Sequence, residues 1–183
     1  MGDHGSVASS KRGRQTARDM VLSMLVVLLG AGIAYLFIPH DDSLDPVRPI
    51  SYDVELVTAR RAAPYPVAAP VGLPADWRAT SVDYEARSDQ GAVWHLGFMD
   101  PDNEYAAVEQ SDGSPGEFIT EVTHGAEPTG RSRTVGGEEW EHYEGPKYDA
   151  LVRREPGVTT VVTGTAPLGS LTRLAAALET SEG

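Results

Sequence analysis

The chain has 183 residues, no cysteine and a formal net charge of −12 at neutral pH. Without cysteine there is no disulfide framework, no thiol nucleophile, no thiolate metal site and no route to a lipoprotein. An acidic balance of this size repels nucleic acid, so no nucleic-acid partner is expected.

Residues 1–19 are polar and lack an apolar period, which predicts a disordered basic tail. Met20 to Ile38 reads MVLSMLVVLLGAGIAYLFI, without a charge. As a helix it would be roughly 28 Å long, close to the hydrocarbon thickness of a bilayer. Lys11, Arg12, Arg14 and Arg18 precede it, and Asp41, Asp42 and Asp45 follow. Positive residues stay on the cytoplasmic side, so the expected topology is single-pass in the cell membrane, N-terminus cytoplasmic and C-terminal domain extracytoplasmic. A cleaved signal peptide, with Gly32 and Ala34 before the cut, is the competing reading. It fits less well, because the apolar run continues through Tyr35 to Ile38. Charge divides at the membrane: residues 1–38 carry +2 and residues 39–183 carry −14.

Residues 39–49 hold three prolines and three aspartates, as an extended linker does. Residues 50–183 are patterned like one α+β domain. Ile50, Tyr52, Val54 and Leu56 alternate with polar residues and predict a strand. Ala62 to Pro74 contains Pro64, Pro66, Pro70 and Pro74, which predicts an extended segment draped over the domain. Alternation over Arg78–Ala86 and Ala92–Met99 predicts two strands, with Trp94, Leu96 and Phe98 turned inward. Asp100-Pro-Asp-Asn103 is a turn, and Glu104 to Glu109 returns as a strand.

Ser114 with Glu117 has capping-box spacing before a short helix that stops at Gly125. A polar loop to Gly137 is expected next. Strands follow around Trp140, from Tyr148 to Arg154 and from Val158 to Thr163, the last two joined by a Glu155-Pro-Gly157 turn. Pro167 opens a final helix with Leu168, Leu171, Leu174, Ala175 and Leu178 on one face. The expected architecture is an antiparallel sheet with two helices on one side.

Several blocks carry a resemblance. RQTARDMVLSMLVVLLG, YLFIPHDD, RRAAPYPVAAPVGLPADWRATSV, WHLGFMDPDNEYAAVEQSDG and GVTTVVTGTAPLGSLTRLAAALE stand in this order from Arg14 to Glu179. Together they resemble the actinobacterial domain-of-unknown-function family 4245. The resemblance implies a single-pass envelope protein and supplies neither an activity nor site residues. At the level of fold alone there is a weaker likeness to PsbP-like domains, which carries no function.

No local motif assigns a catalytic, cofactor-binding or metal site. The histidines, His4, His40, His95, His124 and His142, show no zinc-binding spacing. His142 lies among Glu138, Glu139, Glu141 and Glu144, which reads as a charged solvent face or a protected edge strand. His95 shares a strand with core residues but points to the other face, as a surface histidine. Asp100, Asp102 and Glu104 imitate a calcium loop, but Tyr105 stands where glycine is needed.

No serine lies in a nucleophile-elbow motif. The expected function is therefore a membrane-anchored envelope protein with a non-catalytic interaction domain, binding a protein partner or another envelope component. A lipid or other small apolar ligand held between sheet and helix is the first alternative. A hydrolase assembled from non-local residues is the second, and it requires His95 or His142 within reach of a serine or a carboxylate.

Overall fold

In a computed structural model the residues described are 19–31 and 49–181. The chain divides into two units, Met1–Asp45 and Pro46–Gly183. In the first unit, residues 19–31 form helix α1, and none of its residues is buried. Among the described residues no helix is long and apolar enough to cross a membrane. The remainder of the expected span, 32–38, lies outside the described residues.

The second unit opens with helix α2 (Asp53–Ala62) where a strand is expected. The period-two pattern of Ile50 to Leu56 is real but short, and a longer helical pattern overrides it. Tyr52, Leu56 and Ala59 follow at i, i+4 and i+7 and turn inward, while Val54 is 73 % exposed. Asp53 and Glu55 in the first turn and Arg60 and Arg61 in the last complement the helix dipole.

Strand β1 (Val67–Pro70) is the extended, proline-rich segment. It pairs antiparallel with the final strand β9 (Leu178–Ser181) in a two-stranded sheet. Gln110 pins it to the main sheet, accepting a bond from the Ala68 amide at 2.7 Å and donating to the Thr160 hydroxyl at 3.1 Å. The Trp94 indole N–H donates to the Ala68 carbonyl at 3.0 Å. Proline spacing denies this segment a helix, and these buried side chains decide where it lies.

The main sheet holds β2 (Arg78–Ser88), β3 (Gly91–Met99), β4 (Tyr105–Ser111), β5 (Glu127–Val135), β6 (Glu138–Glu144), β7 (Asp149–Glu155) and β8 (Val158–Gly164), in the order β2-β3-β4-β8-β7-β6-β5 and antiparallel throughout. The expected polar loop before Gly137 is instead β5. Its residues are largely exposed because it is an edge strand, so no apolar alternation marks it. Gly136 and Gly137, at φ 62° and 89°, form the tight turn into β6.

Helix α3 (Pro115–Val122) follows β4, and helix α4 (Leu168–Ala176) follows β8. Ser114 precedes α3 but makes no side-chain capping bond, so the spacing marks the helix start without the reciprocal box. Helix α4 stops at Ala176, and Leu178 belongs to β9.

The expectation of helices on one side is corrected. Helices α2 and α4 pack on one face with Trp94, Leu96, Phe98, Trp140, Leu151 and Val162. Helix α3 packs on the other, its Phe118 and Ile119 against Tyr143, Ala150, Val152 and Val161. Leu151 beside Val152, and Val161 beside Val162, show why: β7 and β8 are apolar on both faces, so both need cover.

Candidate functional site

The α3 face is only partly covered. Phe118 and Ile119 close its apolar part, and the strands beyond carry polar side chains on the same face. In β3 these alternate with the core residues as Val93, His95 and Gly97. His95 stands directly across from Asp83 on β2 and Glu109 on β4, and Ser81 stands across from Gly97.

The His95 ring joins three strands. Its Nε2 lies 2.7 Å from the Ser81 Oγ, and its Nδ1 lies 2.7 Å from the Glu109 Oε1. Glu109 is 8 % exposed, and Ser81, His95 and Tyr105 are half-buried. The Tyr105 hydroxyl, at the near end of β4, lies beside the Ser81 hydroxyl. The two hydroxyls share a space that only a missing side chain leaves. A Cβ at Gly97 would lie 2.3 Å from the Ser81 Oγ and 3.0 Å from the Tyr105 hydroxyl. Tyr148 continues the row, its ring 6.1 Å from that of Tyr105 and 4.9 Å from His124.

Electrostatics fix the direction of these bonds. Burial opposes the charged form of His95, but the hydrogen bond and charge of Glu109, with the charge of Asp83, hold its pKa above the usual histidine value. Burial pushes the Glu109 carboxyl up, against the pull of His95. Burial and the nearby Glu109 push Tyr105 up to about 12, so it stays a protonated donor. When His95 is neutral, its Nδ1–H faces the Glu109 carboxylate, which can only accept. Its Nε2 is then the acceptor, and Ser81 donates to it. The donors run one way, from Ser81 through His95 to Glu109.

Beside this cluster is an open cleft of about 690 Å³ between the β2–β3 hairpin and α3. Its lining includes Asp83, Glu85, Asp89 and Glu121 against Arg87, with Val93, Phe118 and Val122 at its floor. Asp83 and Val93 flank His95 across and along the sheet, so cleft and cluster adjoin.

Other sequence expectations resolve differently. His142 is buried at 5 % exposure, on the strand next to the edge rather than on a solvent face. It faces the α4 side beside Leu151, 3.8 Å from the Glu144 carboxylate, and its Nε2 has no hydrogen-bond partner. The Asp100–Glu104 stretch is a turn. The Asp100 Oδ1 accepts from the Asp102 and Glu104 amides at 2.9 Å each, which occupies the carboxylate with its own backbone.

The expected groove between sheet and final helix is closed. Trp94, Leu96, Leu171 and Leu174 are fully buried against one another, leaving no space there for a lipid. Of the cluster, His95 is the member that sequence reasoning singles out, though as a surface residue. Glu109 was within reach, because a five-residue connection from Asp100 to Glu104 sets Met99 opposite Tyr105 and hence His95 opposite Glu109. Ser81 was not. It reaches its place through a register shift in β2 after Glu85, which leaves no mark in the sequence.

The model of a family described as protein of unknown function (DUF4245) matches residues 12–178. None of the curated proteins matches the chain. Among solved structures, one described as the complex of Pseudomonas aeruginosa MucA and MucB aligns at 15 % identity and a TM-score of 0.37. The alignment covers 65 % of this chain and 37 % of that one.

Proposed function

We propose, from the premise that the chain belongs to the DUF4245 family of proteins of unknown function, that it is a membrane-tethered envelope protein whose outer domain docks an envelope component. One observation carries the reading: the charge-free run from Met20 is helical through residue 31 with every side chain exposed, next in sequence to a domain that closes its own core. An apolar helix with nothing buried calls for lipid or another helix as its solvent. The flanking charges set the direction, with the basic tail inside and the acidic domain outside.

The docking surface in this reading is the cleft beside α3. Its carboxylates favour a neutral or basic partner and disfavour an anionic one. The tether is tested by protease added to intact spheroplasts: the outer domain is digested and the tail is protected. Full protection of the domain overturns the topology. The surface is tested by titrating the full chain in neutral detergent with fluorescent lysine-rich and glutamate-rich peptides. Binding of the first alone, weakened by salt and by Asp83→Asn with Glu121→Gln, is the expected result.

A further inference from the structure

We propose that Ser81, His95, Glu109 and Tyr105 form a hydrolytic site for neutral or cationic carboxylic esters. The proposal goes beyond docking and stands on a separate observation, the one-way hydrogen-bond chain from Ser81 through His95 to Glu109.

A serine becomes a nucleophile when a base removes its proton as it attacks, and the base works when a third group fixes its tautomer. Both distances here are 2.7 Å. Glu109 is held within the sheet between His95 and Val161, so it is positioned by the strands rather than by a flexible loop. The glycine at position 97 yields its side-chain space to the Ser81 and Tyr105 hydroxyls, so the two stand together. The Tyr105 hydroxyl stands beside the Ser81 Oγ, a protonated donor for the carbonyl oxygen on which negative charge develops in acyl transfer.

The reaction balances with water alone. The Ser81 Oγ bonds to the carbonyl carbon while its proton passes to the His95 Nε2. The carbonyl electron pair moves onto oxygen, which accepts a hydrogen bond from Tyr105. Collapse of this adduct breaks the ester C–O bond, and the leaving alkoxide takes the proton from His95 and departs as alcohol. Water then follows the same proton path onto the acyl-serine, releasing the carboxylic acid and restoring Ser81. Glu109 is a positioning residue throughout, holding Nδ1–H and stabilising the imidazolium. The adjoining Asp83, Glu85, Asp89 and Glu121 set the substrate class, because they repel anionic esters.

The test uses the full chain in neutral detergent with a fluorophosphonate probe and 4-nitrophenyl acetate. The expected results are a phosphonyl adduct mapped to Ser81 and a turnover that falls about hundredfold or more in Ser81→Ala and in His95→Gln. Thermal unfolding confirms that each variant is folded. If His95→Gln unfolds, Tyr105→Phe replaces it, and kcat falls with KM unchanged. Wild-type kcat/KM rises with pH through the His95 titration. Glu109→Gln moves that limb to lower pH, since the charge that raises the histidine pKa is gone, and a merely structural role would leave it in place. A 4-nitrophenyl hemisuccinate ester is turned over more slowly than the acetate. No adduct at Ser81, or equal turnover by wild type and Ser81→Ala, overturns the site whether or not the basic peptide binds.

Discussion

The two faces of the seven-stranded sheet are built by the same strands, and they are solved differently. On the α4 face, Trp94, Leu96, Leu151, Val162, Leu171 and Leu174 are fully buried, and even the Trp94 N–H is bonded to backbone. On the α3 face, apolar packing covers only the part under Phe118 and Ile119, and the rest holds the Ser81–His95–Glu109–Tyr105 row. A fully covered face contributes burial energy and rigidity. A half-covered face keeps polar side chains ordered by the sheet yet within reach of solvent. The closed face thus acts as the platform on which the open one is held.

The comparison breaks most severely at Trp94. Trp94→Ala empties the centre of the closed face and orphans the Ala68 carbonyl, so a loss of about 3–5 kcal/mol is expected in urea unfolding. Phe118→Ala is expected to cost about 3 kcal/mol. Hydrogen exchange separates the two, since the Phe118 change loosens α3 and its neighbours β7 and β8 before the α4 face responds. Gly97→Ala probes the open face alone. The added methyl meets the Ser81 and Tyr105 hydroxyls, and a cost of about 1–3 kcal/mol is expected, with the His95 ring resonances displaced.

A pH series sharpens the contrast with a smaller effect. The folded-state pKa of His95 is raised, so the stability that protonated His95 contributes is complete below its unfolded value of 6.5 and is lost as pH rises through the folded value. The raised pKa of Glu109 acts in the same direction, with stability falling as pH rises above its unfolded value of 4.5. Urea midpoints of the wild type therefore fall between pH 6 and pH 8.5 more steeply than those of His95→Gln. Equal slopes would show that the pair does not titrate with folding. Ser114→Ala is the mildest change, within about 0.5 kcal/mol, because the hydroxyl makes no capping bond.

Alternation in β2 and β3, the apolar runs of β7 and β8, the turns at Asp100 and Pro156, and the leucine face of α4 were all readable, because each is a local pattern with a local cause. Strand β5 was hidden because an edge strand needs no apolar face. Helix α2 was misread because alternation over the seven residues from Ile50 to Leu56 spans only about two helical turns, too short to separate the two periods. His142 was misplaced because Glu141 beside it faces solvent on one side of the strand, while His142 turns with Trp140 into the α4 face.

By itself, the sequence determines the cysteine-free chemistry, the division of charge around an apolar run, the family membership and the α+β class. These follow from composition and from short-range periodicity. Tertiary structure alone decides that α3 covers the face opposite α4, because β7 and β8 are apolar on both sides and helix order in the chain does not say which side is filled. It alone brings Ser81 to His95. That pairing depends on the register shift after Glu85 in β2, and register is set by how strands pack against one another, not by the residues that finally meet.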